Sequence, residues 1–282
     1  MFGNPIQDSF ERMATAVTTR LKAALWPAAS GALVPQPGRV HIWSVWLDPS
    51  EARVDECAAT LSADEFERAS RFHFERHRRR FICARGALRE ILGAYLGIDP
   101  HALTFAYGTH GKPSLRSHTP SRVSFNVSHS ENLALIAVAS EQTEIGVDVE
   151  AERPMPDGDD IARRFFAPSE VERLQVLPAE LRGRAFFECW TRKEAYLKAL
   201  GDGLARPLDA FEVTFGPNER AELRVMGDAT ESARWTLLPL EPASGFAAAL
   251  VATRGVQGVE CWDWTGSDVR GSSTPACLRM AV

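Results

Sequence analysis

Lysine, cysteine and long apolar runs are scarce in this chain. Its five cysteines (Cys57, Cys83, Cys189, Cys261 and Cys277) are scattered and form no C-x-x-C pair. That spacing argues against a zinc site or a disulfide framework, and reduced thiols are expected. No apolar stretch reaches the roughly 18–20 residues that a membrane span requires. The first residues show neither a basic start nor the apolar core of a signal peptide, so no membrane association and a cytoplasmic location are expected. Only four of the 32 basic side chains are lysines: Lys22, Lys112, Lys193 and Lys198. A coding bias toward arginine explains the ratio. It does not explain why three of the four fall in two short motifs, Gly111-Lys112-Pro113 and the Trp190 helix. A lysine is a compact charge on a flexible stem, suited to phosphate oxygens.

At 282 residues and 45% hydrophobic content, the chain can bury a substantial core in one or two domains. Residues 1–38 read as an N-terminal extension, with a helix expected over Asp8 to Trp26. Residues 39–144 read as a first subdomain that opens with the alternating strand His41 to Leu47. Residues 145–264 read as a second, with strands expected near Phe211, Trp235, Phe246 and Glu260. The Ser-, Gly- and Thr-rich tail, 265–282, is expected to be disordered. The segment Arg153 to Asp160 is expected to be a mobile loop.

The chemistry concentrates in a strand and a helix. Ile145, Val147 and Val149 alternate with Gly146, Asp148 and Glu150, a period of two. Asp148 and Glu150 therefore share one face while the aliphatic residues enter the core. Adjacent carboxylates raise each other's pKa unless a cation sits between them, although a lone D-x-E is also the pattern of a solvated strand edge. In the helix, Phe186, Phe187, Trp190 and Leu197 fall on one apolar face with Glu194 in its middle. A carboxylate there is costly unless it is paired or binds a metal. Lys198 follows Glu194 at i+4, and Gly201 supplies a C-cap. Three hard oxygen ligands beside lysines suit a magnesium-type ion and a phosphate-bearing substrate.

Between these motifs, Val123 to Val127 reads as a strand ending in Ser128-His129-Ser130. The apolar run Leu133 to Ala139 follows, and with Ile145 to Glu150 this reads as a three-stranded meander. A hydroxyl and an imidazole at a strand end can bind phosphate, but a histidine there is also an ordinary turn residue. Upstream, Ser62-Ala63-Asp64-Glu65 reads as a capping box. A longer helix carrying Phe81, Ala84, Leu88, Ile91, Leu92 and Tyr95 follows. The cluster Arg78, Arg79, Arg80, Arg85 and Arg89 has no nucleic-acid reader motif beside it and the chain's net charge is −5, so no nucleic-acid partner is expected.

The series Gly111-Lys112-Pro113, Phe125-Asn126-Val127-Ser128-His129-Ser130, Gly146-Val147-Asp148-Val149-Glu150 and Trp190-x-x-Lys193-Glu194-x-x-x-Lys198 resembles the 4′-phosphopantetheinyl transferases of the surfactin-synthetase-activating (Sfp) type. Phe165-Phe166, Glu170 and the Gly201-x-Gly203-Leu204 run look like family features as well. The resemblance implies an α/β (α+β) pseudo-dimer of two similar subdomains, each a small, mostly antiparallel sheet with packed helices, and an active site in the cleft between them. It implies magnesium-dependent transfer of phosphopantetheine from coenzyme A to a serine of an apo acyl or peptidyl carrier protein, releasing 3′,5′-ADP. Asp148, Glu150 and Glu194 match the metal ligands, with Glu194 also as general base. Lys198 matches the lysine on the pyrophosphate, Ser128 and His129 the holders of the 3′-phosphate, and Lys112 a lysine near the nucleotide. Arg68 and Arg80 lie where basic residues approach the coenzyme A phosphates. Lys193 belongs to the motif, with either substrate or a neighbouring carboxylate as its contact. A monomer is expected, because both halves occur in one chain. The competing classes are a coenzyme A-binding protein without catalysis and a magnesium-dependent phosphohydrolase acting on a free nucleotide.

Overall fold

The computed structural model describes residues 21–22, 33, 36–108, 112–116, 122–201, 206–217, 219–266 and 276–279. The chain order is β1 (Leu21–Lys22), β2 (Arg39–Trp46), α1 (Glu51–Thr60), α2 (Ala63–Ser70), α3 (Glu75–Leu96), β3 (Phe105–Tyr107), β4 (Pro113–Leu115), β5 (Val123–Ser130), β6 (Leu133–Ser140) and β7 (Ile145–Ala151). It continues with α4 (Gly158–Phe165), α5 (Pro168–Val176), α6 (Ala179–Leu200), β8 (Phe211–Val213), β9 (Leu223–Val225), α7 (Ala229–Arg234), β10 (Trp235–Glu241), β11 (Phe246–Thr253), β12 (Gly258–Asp263) and β13 (Ala276–Arg279).

Two mixed sheets, mostly antiparallel, form the middle of the molecule. One has the order β1-β10-β11-β7 and the other β13-β12-β2-β6-β5. Strand alternation explains how they stack. Ile42, Leu135, Val147, Val149 and Leu250 point into a shared apolar layer between the sheets. The opposite faces take the helices. Val45, Ile136 and Val138 pack with Cys57, Cys83 and Leu88 of α1 and α3, and Ala247, Ala249 and Val251 pack with Phe187, Ala195 and Tyr196 of α6. The mixed α+β class with packed helices is therefore present. Among the described residues no helix is long and apolar enough to cross a membrane.

Several expectations shift. The meander does not form, because β6 is fully buried and pairs with β2 on one side and β5 on the other, leaving no edge for β7. β7 crosses over and pairs antiparallel with β11 in the other sheet. Within the span 145–264, β12 leaves the sheet that holds β7, β10 and β11 and runs parallel to β2 in the other sheet. In the tail, Ala276–Arg279 pair with β12 as a strand. Leu21–Lys22, inside the expected N-terminal helix, are a strand paired with β10. The rest of that helix, Gly111, the Gly203-Leu204 pair and most of the tail lie outside the described residues. The expected loop ends early, since Gly158 to Asp160 already belong to α4.

The arginine-rich helix packs by saturating its charges. Glu65 is buried, and its carboxylate takes Arg89 Nε at 2.6 Å, Arg85 Nε at 2.8 Å and the Ser62 backbone N–H at 3.1 Å. That last bond is the capping-box contact that opens α2.

Candidate active site

Gly146 sets the distance between α6 and β7. A Cβ at this position would lie 2.1 Å from the Ala195 carbonyl oxygen and 2.3 Å from the Ala199 backbone nitrogen, so only a glycine lets the helix backbone rest on the strand. Ala247 and Ala249 on the neighbouring strand are small for the same approach. The consequence is chemical: Glu194 and Lys198, one helical turn apart, are set over Asp148 and Glu150. Gly201, in the left-handed conformation at φ +79°, ends the helix one turn later.

Asp148 is the buried centre. Its Oδ1 accepts hydrogen bonds from Lys198 Nζ at 2.6 Å and from Ser128 Oγ at 2.7 Å. Its Oδ2 is buried and has no hydrogen-bond partner. Ser128 is saturated: it donates to Asp148 and accepts from Lys198 Nζ at 2.8 Å and from the Val149 N–H at 3.3 Å. Glu150 Oε2 accepts from Ser130 Oγ at 2.8 Å and, from the solvent side, from Arg153 at 3.4 Å. Glu194 is half-buried, and its carboxyl is pushed above the usual range, first by burial and then by the negative charge of Asp148, with Glu150 adding to it.

An orphaned, buried carboxylate oxygen is costly unless a cation meets it. With two further carboxylates acting electrostatically on the same space, the donor set fits a hard divalent ion such as magnesium. Among the described residues, no three His, Cys, Asp or Glu side chains are gathered closely enough to hold a metal ion. Like charges without a cation repel, and Lys198 takes the inner oxygen of Asp148 instead.

The phosphate-binding expectations divide. Ser128 and His129 face opposite sides of β5, as strand neighbours must. Ser128 turns inward to the carboxylates, and His129 is exposed at the strand end. Crowding by its surroundings, and next the positive charge of Lys198, hold the His129 imidazole below the usual histidine range, with Arg68 adding to the effect. Arg68 is exposed on α2, its guanidinium stacked 5.3 Å over the Phe81 ring. Arg80 is tied to Asp48 at 2.8 Å and to Glu131, next after Ser130, at 3.1 Å. Lys112 donates to the Lys198 carbonyl at the end of α6, and burial is the main reason its ammonium sits below the usual lysine range.

Lys193 touches a carboxylate. It is fully buried, 2.7 Å from Glu170, and also donates to the Leu208 and Phe211 carbonyls at 2.7 and 2.6 Å. The sequence reading gave no role to Asn126, Ser130 or Arg153. The signal for the first two was present, since Asn126, Ser128 and Ser130 alternate with the same period as the Gly146, Asp148 and Glu150 series opposite.

A sequence profile of the 4′-phosphopantetheinyl transferase superfamily matches residues 144–251. A second, described as 4′-phosphopantetheinyl transferase, N-terminal, matches residues 44–142. The 4′-phosphopantetheinyl transferase HetI of Nostoc sp. (strain PCC 7120) is 46% identical over 212 residues, covering 75% of this chain and 86% of its own. The putative 4′-phosphopantetheinyl transferase slr0495 of Synechocystis sp. (strain PCC 6803) is 36% identical, covering 73% and 80%. The 4′-phosphopantetheinyl transferase Sfp of Bacillus subtilis (strain 168) is 26% identical, covering 62% and 76%.

Proposed function

The chain belongs to the 4′-phosphopantetheinyl transferase superfamily, and from that premise we propose that it moves the phosphopantetheine arm of coenzyme A onto a serine hydroxyl of an apo acyl or peptidyl carrier protein. The observation that carries the reading is the meeting of Asp148, Glu150, Glu194 and Lys198 across β7 and α6, with Asp148 Oδ2 buried and unpartnered. Asp148, Glu150 and Glu194 are the residues that would hold magnesium. When bound, the ion neutralises charge on the pyrophosphate of coenzyme A.

The remaining roles belong to the chain's own groups. Glu194, with its raised pKa, takes the proton from the serine hydroxyl directly or through a water. The serine oxygen forms the new bond to phosphorus, the bond from that phosphorus to the nucleotide breaks, and 3′,5′-ADP departs. Lys198 has a side chain 28% exposed, so it can turn from Asp148 toward the leaving phosphate. His129 and Arg68, exposed on the other side of β5, support the reading of a 3′-phosphate site. The Sfp-type, monomeric form is supported by one chain providing both sheets and both sides of the site.

Intact mass of apo acyl and apo peptidyl carrier proteins, after incubation with this protein, coenzyme A and magnesium, tests the proposal. A gain of one phosphopantetheine that disappears with a chelator is the expected result. Consumption of coenzyme A with no mass gain on a wide carrier panel would instead indicate hydrolysis of a free nucleotide.

A further inference from the structure

β5 and β7 are each the edge strand of their own sheet, and they lie side by side without a backbone ladder between them. Exposed edges carry unpaired N–H groups that must be satisfied. Here side chains do so in three consecutive rungs. Asn126 Oδ1 accepts from the Val147 N–H at 2.9 Å, Ser128 Oγ from the Val149 N–H at 3.3 Å, and Ser130 Oγ from the Ala151 N–H at 3.1 Å. The first rung has no carboxylate before it, because residue 146 is glycine. The other two do more: each serine that accepts an N–H from β7 also donates its proton to the carboxylate of the residue just before it, Asp148 or Glu150.

We infer that Ser130 is a positioning residue that sets the Glu150 carboxylate for a divalent cation, through a rung that also ties the two sheets together. The inference rests on the reading of Asp148 and Glu150 as cation ligands. Glu150 has two competing partners of unequal quality. Ser130 is nearly buried and holds Oε2 at 2.8 Å, whereas Arg153 is exposed and reaches the same oxygen at 3.4 Å. With the hydroxyl gone, no other hydrogen-bond donor among the described residues holds the inner side of the carboxylate against the arginine and solvent. Ser128 performs the same operation on Asp148, but it also contacts Lys198, so Ser130 is the cleaner test of the seam.

The hydroxyl is isolated by comparing Ser130→Val with Ser130→Thr, which have nearly the same shape and both favour strands. The probe is manganese(II) alone, titrated by electron paramagnetic resonance into the full-length protein without coenzyme A or carrier. Thermal melting runs alongside to keep folding separate, and Ser130→Ala serves as a second hydroxyl-free variant. Outer hydrogen bonds to metal ligands are worth about 10–100-fold in affinity, so Ser130→Val should weaken manganese by roughly that factor and Ser130→Thr should restore it. Turnover should follow, with the magnesium midpoint displaced and, at saturating magnesium, the KM for coenzyme A unmoved. Equal manganese affinity in the Val and Thr variants, together with a weakened Glu150→Gln, would overturn the positioning role alone. A Glu150→Gln protein that binds manganese like the wild type would overturn the ligand reading beneath it.

Discussion

Two lysines five residues apart on α6 each pair with a carboxylate from another element, Glu170 of α5 and Asp148 of β7, and the two pairs are built to opposite specifications. Lys193 and Glu170 are both sealed from solvent. The lysine has three oxygen partners, and the carboxylate receives Lys193 and the backbone N–H groups of Ala167 and Val213. Lys198 and Asp148 form an ion pair of similar length, 2.6 Å, yet the lysine is partly exposed and one carboxylate oxygen has no partner. A saturated pair has nothing left to offer a ligand, so it can only hold structure. An unsaturated one keeps a coordination position open and pays for it in local stability. The same rule sorts the acids elsewhere: Glu65, ringed by Arg85, Arg89 and Ser62, belongs with Glu170.

The strongest test of that contrast is Asp148→Ala. Losing a charge-neutralising ligand removes several kcal/mol of transition-state stabilisation, so transfer should fall by about 10³-fold or more. Melting should be nearly unchanged. Normal turnover of the carrier protein in this variant would end the assignment. Glu170→Ala should show the reverse behaviour. It strands a buried ammonium, and the expected cost is roughly 3–5 kcal/mol, a drop of about 10 °C in Tm. Activity per folded molecule should survive, and calorimetry beside an active-fraction assay separates the two effects.

A smaller effect is expected at His129. His129→Ala should weaken coenzyme A about tenfold, the scale of one charge-assisted hydrogen bond, and should weaken 3′-dephospho-coenzyme A much less. Equal losses for both ligands would remove the 3′-phosphate role. The mildest test concerns pH. The folded-state pKa of Glu194 is raised, so its ionised form costs stability: the contribution is fully favourable below the unfolded carboxylate pKa of about 4.3 and is lost as pH rises through the folded value. Glu194→Gln should therefore melt with the wild type in acid and a few degrees above it near neutrality, without divalent ions. Melting curves from pH 4 to 8 would show the gap open; a constant gap would deny the raised pKa.

Short-range periodicity made much of the site legible. The period of two in residues 145–150 put Asp148 and Glu150 on one face, and that face meets α6. The position of Glu194 within an apolar stripe pointed to its half-buried setting. Pairing partners were not legible, because a fully apolar strand such as β6 is compatible with any neighbour that closes the layer. This is why the meander was misread, and why the crossing of β7 and the return of β12 had to come from the structure. Ser130 escaped notice for a related reason: its period-two alternation with Asn126 and Ser128 gains a meaning only when the strand opposite is known.

The sequence by itself determined the family, the acids and lysines proposed for the chemistry, and the helix and strand that present them, because these depend on residue type and on spacing within one element. Only the tertiary structure decided which lysine is structural and which is available, which face of β5 meets the carboxylates, and that two sheet edges are closed by side chains. Those outcomes depend on which groups from distant parts of the chain satisfy one another, and burial makes each unsatisfied group costly enough to matter.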